Sequence, residues 1–211
     1  MRKIVIVVLS LLLSFQLFAT NNTAVTRLDS LIELIKKNTV QTNFTLISKQ
    51  ADNNTSFTTK GIFTIKGEKF ILTTKEMNIY FNGKIQWMYV SDINEVSISE
   101  PNDLEVAKIN PISLLNTYRE ISVISINKKK SNNKVYVIEL RPKKETNSDF
   151  QKIELKVKKS NNYPIFIQLT DKKGGIVILE LTQFHKKNEF NEREFDFNPK
   201  KYKDIEINDL R

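Results

Sequence analysis

Residues 82–99 read NGKIQWMYVSDINEVSIS, and the pairing of this stretch with the strand before it decides the fold. Asn-Gly is a strong hairpin signal, because both central residues of a tight turn must accept positive φ. The spacing predicts a two-residue turn with Phe81 opposite Lys84. One face of the hairpin then carries Tyr80, Ile85, Trp87 and Tyr89, and the other Ile79, Phe81, Met88 and Val90 beside Lys84 and Gln86. Both faces are apolar, whereas an antiparallel hairpin normally keeps one face in water. Something else must cover the second face, either a helix layer or a cavity between helices and sheet.

Working outward, most of the chain alternates with period two. Phe44 and Leu46 share a face, as do Phe57, Thr59, Phe63 and Ile65, then Phe70 and Leu72, then Val96 and Ile98. Further strands are expected at Ile121–Ile126, Val135–Leu140, Ile153–Val157, Ile165–Leu169, Ile176–Phe184 and Phe195–Phe197, with turns at SNN, SNNYP and DKKGG. In the strand from Lys152 to Lys158, Ile153, Leu155 and Val157 point in while Lys152, Glu154, Lys156 and Lys158 point out. Two segments have helical character. Thr23 can cap a helix whose stripe is Val25, Leu28, Leu31, Ile32 and Ile35, and Asn110-Pro111 supplies a cap and first residue for the short helix PISLLNTY. The segment from Ser99 to Asn110 reads as polar and irregular.

Roughly eleven strands at hairpin spacing with two helices predict a mainly β fold: one curved antiparallel sheet, an incomplete β-barrel, with the helices as a lid over its concave, apolar side. At 211 residues the chain suits one such domain. Residues 1–19, MRKIVIVVLSLLLSFQLFA, have the charged, apolar, small-residue order of a cleavable signal peptide, which leaves 20–211 as the mature domain of an exported protein. The chain has no cysteine, so it has neither disulfides nor a lipidated N-terminal cysteine. The net charge of +9 falls to +7 without Arg2 and Lys3. Its lysines sit in turns, at Lys128–Lys130, Lys158–Lys159 and Lys172–Lys173, a dispersal that suits solubility or encounters with anionic surfaces rather than nucleic-acid binding.

Little in the chain suggests catalysis. His185 is the sole histidine, there are only five glycines, and no serine lies in a G-x-S-x-G setting. The acidic set Asp92, Glu95, Glu100, Asp103 and Glu105 matches no calcium-loop spacing and reads as a solvated edge. The expectation is a protein without enzymatic activity, cofactor or metal, whose apolar side chains bind a ligand.

The run from Gly61 to Tyr118, with its strand GIFTIK, Lys69-Phe70, the hairpin N-G-K-x-x-W-x-Y, the Glu95-Val96 strand start and the Asn110-Pro111 helix, resembles the LolA family of periplasmic lipoprotein carriers. The ending FDFNPKKYKDIEINDLR is similar to one branch of it. The resemblance implies an incomplete barrel whose cavity takes lipoprotein acyl chains from an inner-membrane ABC-type release complex and passes them to an outer-membrane acceptor. It also implies a periplasmic monomer. By position, Phe70 corresponds to a phenylalanine at the barrel mouth, Trp87 and Tyr89 to hairpin aromatics, Leu72 to a cavity position, and Ile112 and Leu115 to the lid helix. With Phe44, Leu46, Phe63, Ile65, Ile79 and Phe81 these form the expected acyl-chain cavity and lid.

The family's lid-latching arginine is missing, because its place reads Lys66-Gly67-Glu68. The expectation is a lid held by packing of Ile112, Leu115 and Tyr118, with Lys66 or Lys69 as the nearest cations. The alternative is a sensor of lipid or mislocalised lipoprotein on the same fold; such sensors carry a further C-terminal domain, and this chain ends soon after its last strand.

Overall fold

Twelve strands form one curved, unclosed sheet in the computed structural model, which describes residues 23–51 and 56–211. The expected signal segment lies outside the described residues. The strands are β1 (Val40–Lys49), β2 (Ser56–Lys66), β3 (Lys69–Thr74), β4 (Met77–Phe81), β5 (Gln86–Val90), β6 (Glu95–Ser99), β7 (Ser122–Ile126), β8 (Val135–Pro142), β9 (Phe150–Lys158), β10 (Pro164–Asp171), β11 (Ile176–Lys186) and β12 (Glu206–Asp209). Their spatial order is β12-β6-β5-β4-β3-β2-β1-β11-β10-β9-β8-β7. Every pairing is antiparallel except that of β12, which runs parallel to β6. The helices are α1 (residues 23–37), α2 (Asp103–Ile109) and α3 (Pro111–Ile121).

The hairpin β4–β5 closes two residues later than the Asn-Gly spacing predicts. Phe81 pairs with Gln86 rather than Lys84, so residues 82–85 form the connection. The Asn82 side chain causes this: its Oδ1 accepts from the backbone N–H of Lys84 at 3.0 Å and of Ile85 at 2.9 Å, and an amide so engaged holds the turn open. A slip of two residues leaves every side chain on its expected face. Ile79, Phe81 and Met88 therefore pack into the main core, while Tyr80, Trp87 and Tyr89 face the other way.

The second face is covered by the C-terminal segment, not by a helix. Phe197, Tyr202 and Ile205 pack on Tyr80, Trp87, Tyr89 and Val96, with the Tyr89 and Tyr202 ring centroids 4.2 Å apart. The expected strand Phe195–Phe197 is absent; residues Glu192–Phe195 form a 3-10 turn capped reciprocally by Asn191 and Glu194, which sends Phe195 into full burial. In a strand the two phenylalanines would share one face; here the turn buries Phe195 fully and Phe197 nearly so.

The polar segment before α3 also differs from its reading. Asn102 and Glu105 make a capping box, with the Asn102 Oδ1 accepting from the Glu105 N–H at 3.1 Å and the Glu105 carboxylate accepting from the Asn102 N–H at 2.9 Å. That reciprocal cap starts α2 despite a weak apolar stripe. On the concave side, Leu28, Leu31, Ile32 and Ile35 of α1 and Ile112, Leu115 and Tyr118 of α3 are buried against the sheet, as the 3.6-residue spacing requires. Among the described residues, no helix is long and apolar enough to cross a membrane.

Candidate functional site

Between α1, α2, α3 and the concave side of the sheet lies an apolar cavity of about 140 Å³. Its floor is built by strand parity. Phe44 and Leu46 on β1, Phe63 and Ile65 on β2, and Leu72 on β3 occupy the inward positions, and Ile112 and Leu115 of α3 form the roof. Seven of the residues expected at the site thus meet around one space.

Phe44 is shaped to the cavity by a glycine. It pairs across β1–β2 with Gly61, where a Cβ would stand 2.8 Å from the Phe44 ring and 2.1 Å from the Thr73 carbonyl oxygen. The ring therefore rests on bare backbone, a close approach that only glycine permits. Phe63, Phe70 and Phe81 continue as a layer of rings with centroids 5.6 and 5.5 Å apart. Phe70, Ile79 and Phe81 are buried in the same core, behind the cavity wall rather than at its surface.

Trp87 and Tyr89 do not reach the cavity. Their parity puts them on the convex side under Phe197 and Tyr202, which corrects their assignment to a cavity-lining set. The opposite wall comes from residues that the sequence did not assign to the cavity: Ile167 and Leu169 on β10, Leu179 and Leu181 on β11, and Leu31 and Ile35 of the α1 stripe. Their alternation is legible, but which parity faces inward follows only from the pairing of β11 with β1 (Leu46 with Leu179, Phe44 with Leu181).

The roof is tied down by polar contacts as well as packing. Asn110, fully buried, caps α3 through its Oδ1, which accepts from Ile112 N–H at 2.9 Å and Ser113 N–H at 3.3 Å. Its Nδ2 donates to the carbonyls of Glu68 at 3.1 Å and Gly67 at 3.4 Å, in the β2–β3 turn. One carboxamide thus joins the start of α3 to the β2–β3 turn.

At the other end, Arg119 donates from Nε and one terminal nitrogen to the two oxygens of Asp29 on α1, at 2.6 and 3.0 Å. This fork-to-fork bond holds the Asp29 carboxyl below its ordinary range. The Tyr118 hydroxyl accepts from the Phe150 N–H and bonds Ser148. Lys66 and Lys69 do not touch the lid; both bind Glu192 in the C-terminal segment, and their hydrogen bonds lower the Glu192 carboxyl to about 2. The lid is therefore held by Asn110, Arg119 and Tyr118 in addition to the packing of Ile112 and Leu115.

The remaining polar candidates serve local structure. Glu105 caps α2 and Glu100 pairs with Lys84, while His185 is exposed and bonds through Nδ1 to the Gln183 carbonyl. Among the described residues, no group of three or more histidine, aspartate or glutamate side chains is placed to hold a metal ion. Glu154, expected in solvent, is 3% exposed on the convex side because the β7–β8 turn folds over it and Lys130 pairs with it at 2.5 Å.

A curved, unclosed sheet with helices roofing an aliphatic cavity defines a ligand-binding protein of the half-barrel class. The family profile described as "Outer membrane lipoprotein carrier protein LolA" matches residues 18–171, and the chain belongs to that family. No curated protein matches the chain. Among solved structures, the chain is similar to an uncharacterized conserved protein from Thermus thermophilus, with 13% identity and a TM-score of 0.53 over 86% of this chain and 98% of that one. It is also similar to a LolA superfamily protein from Nitrosomonas europaea, with 14% identity and a TM-score of 0.43 over 84% and 98%. A third is a Pseudomonas aeruginosa MucA/MucB complex, with 12% identity and a TM-score of 0.46 over 83% of this chain and 61% of that one. These structural likenesses concern the fold alone.

Proposed function

We propose that this protein is a periplasmic carrier that binds the acyl chains of lipoproteins in the cavity under α3 and conveys them from the inner to the outer membrane. The observation that supports this reading most directly is a wall built from Phe44, Leu46, Phe63, Ile65, Leu72 and Leu115. Such a surface suits a hydrocarbon chain, which gains about 0.8 kcal/mol for each methylene removed from water and asks for no polar partner. On this reading cargo arrives from an ATP-driven release complex in the inner membrane and leaves to an acceptor at the outer membrane. The carrier acts as a monomer, without cofactor or covalent step, after loss of residues 1–19.

The cavity of about 140 Å³ is smaller than the roughly 300–1,000 Å³ typical of small-ligand sites, so loading must displace the roof. Cargo then substitutes for the lid's own apolar contacts, and release needs only an acceptor that binds the chains better or a lid that prefers its closed contacts. The test is displacement of a fluorescent fatty acid by a purified triacylated lipoprotein. Saturable binding is expected for the wild type and its loss for Leu115→Glu; tight binding that Leu115→Glu leaves intact would place the ligand elsewhere and reject the reading.

A further inference from the structure

The lysine runs left over from the binding reading are brought together by the fold. The β7–β8 turn contributes Lys128, Lys129, Lys130 and Lys134, and the β9–β10 turn contributes Lys158 and Lys159. The two turns are joined at one end of the sheet: Val135 pairs with Lys158, and the Lys159 N–H donates to the Lys134 carbonyl at 2.8 Å. Arg27 of α1 joins them, since the Arg27 guanidinium and the Lys159 ammonium both lie over the Tyr136 ring, 5.2 and 4.3 Å from its centroid. The Arg27 carbonyl also accepts from the Asn162 side chain at 2.7 Å, which fixes the second turn against the helix.

This surface is unbalanced in sign. Residues 127–134 and 158–163 contain no acidic side chain. The carboxylates beneath them are buried and already engaged, Glu154 by Lys130 and Glu139 by Asn127 and Arg141. Lys128, Lys129, Lys134 and Lys158 are exposed and face solvent. The other lysine pairs carry acids close by in the chain, as in the β10–β11 turn, where Asp171 precedes Lys172 and Lys173, and in the last twenty residues.

We propose that this basic end is a docking surface for an anionic lipid bilayer. The residue types favour a membrane over an acidic protein. Protein interfaces rely on buried aromatic or aliphatic anchors, and none of the exposed large apolar side chains (Phe57, Ile62, Ile93, Val123, Ile207, Leu210) lies in these turns. Lysine ammoniums on flexible stems act as point charges that need no matched acceptor geometry. They suit a laterally uniform field of phosphate headgroups, where each adds its attraction within a Debye length of the surface. Contact of this kind is reversible and would hold the protein near a membrane whatever the cavity carries.

The test is co-sedimentation of the protein, purified from cells, with phosphatidylcholine vesicles and with phosphatidylglycerol-rich vesicles at low and high salt. Binding to the anionic vesicles is expected to be at least about tenfold stronger and to vanish at high salt. The quadruple variant K128E/K129E/K134E/K158E should lose that binding about tenfold or more, whereas K172E/K173E/K200E/K203E, with the same change in net charge at other exposed lysines, should keep most of it. Equal loss in the two variants would overturn the proposal in favour of net charge alone. Absence of binding to anionic vesicles would overturn it outright, and so would tighter, variant-sensitive binding to soluble polyglutamate, which would make the partner an acidic polypeptide. Leu115→Glu should leave vesicle binding unchanged while abolishing fatty-acid binding, so failure of this proposal and failure of the carrier reading are separable.

Discussion

Replacing Asn110 should release the lid without damaging the sheet. The side chain makes two kinds of contact: its Oδ1 caps α3, and its Nδ2 binds the Gly67 and Glu68 carbonyls. Loss of an N-cap costs about 1 kcal/mol. Each buried hydrogen bond lost adds about 1 kcal/mol, and less for the contact to Gly67, which is long at 3.4 Å. Asn110→Ala should therefore destabilise the closed lid by about 2–3 kcal/mol. Asn110→Asp keeps a capping oxygen but turns a donor into an acceptor facing two carbonyls, so it should lose the tie alone, about 1–2 kcal/mol. A loss of about 2 kcal/mol raises the fraction of open lid roughly thirtyfold. Amide hydrogen exchange reads this directly. Protection of α3 should fall by about that factor in Asn110→Ala and by less in Asn110→Asp, while amides of β9 around Ile153 and Leu155 change only as far as global stability does. The reasoning is refuted if α3 in both variants exchanges within a factor of about two of the wild type.

Other perturbations separate the lid from the C-terminal segment. K66A/K69A should leave α3 protection unchanged and expose residues 190–205 to proteolysis, because both lysines bind Glu192; faster exchange in α3 instead would contradict that division. Acid should act at the same contact. The Glu192 carboxyl lies at about 2 against an ordinary 4.5, so its stabilising pairing is complete above pH 4.5 and is lost as pH falls toward 2. Proteolysis of the segment should rise across that window in the wild type and be independent of it in Glu192→Gln. Gly61→Val should destabilise the domain by about 2 kcal/mol or more and drive the Phe44 ring toward the cavity, lowering fatty-acid affinity; unchanged affinity in a folded variant would refute the role given to that glycine. Asp29→Asn should break the fork with Arg119 and raise the exchange of the last turn of α3, with little effect at its first turn.

The half-barrel was legible because period-two alternation recurs from Val40 to Ser99 and again from Ser122 to Phe184, and Asn-Gly marks a hairpin in the first run. Face assignment survived an error in register, since the turn held open by Asn82 shifts the pairing by two residues rather than one. Half of the cavity wall, at Phe44, Leu46, Phe63, Ile65 and Leu72, was legible from parity taken together with the family resemblance. Its other half was not, because Leu179 and Leu181 acquire an inward sense only through a pairing with β1 some 135 residues distant in the chain, as in Phe44 with Leu181 and Leu46 with Leu179. Trp87 and Tyr89 looked like cavity residues because aromatic side chains line pockets and cores alike. The covering layer that makes them core, from Phe195 to Ile205, is a capped 3-10 turn and loop with no periodic signature. The role of Asn110 was half visible: its place before proline announces a cap, but only the fold brings the Gly67–Glu68 turn within reach of its amide.

The central claim, that the space under α3 holds acyl chains, is tested most directly by native mass spectrometry of the protein purified gently from the periplasm. The account predicts a one-to-one complex with an acylated lipoprotein that is absent from Leu115→Glu. Protein that is consistently empty, or bound equally in Leu115→Glu, would contradict it.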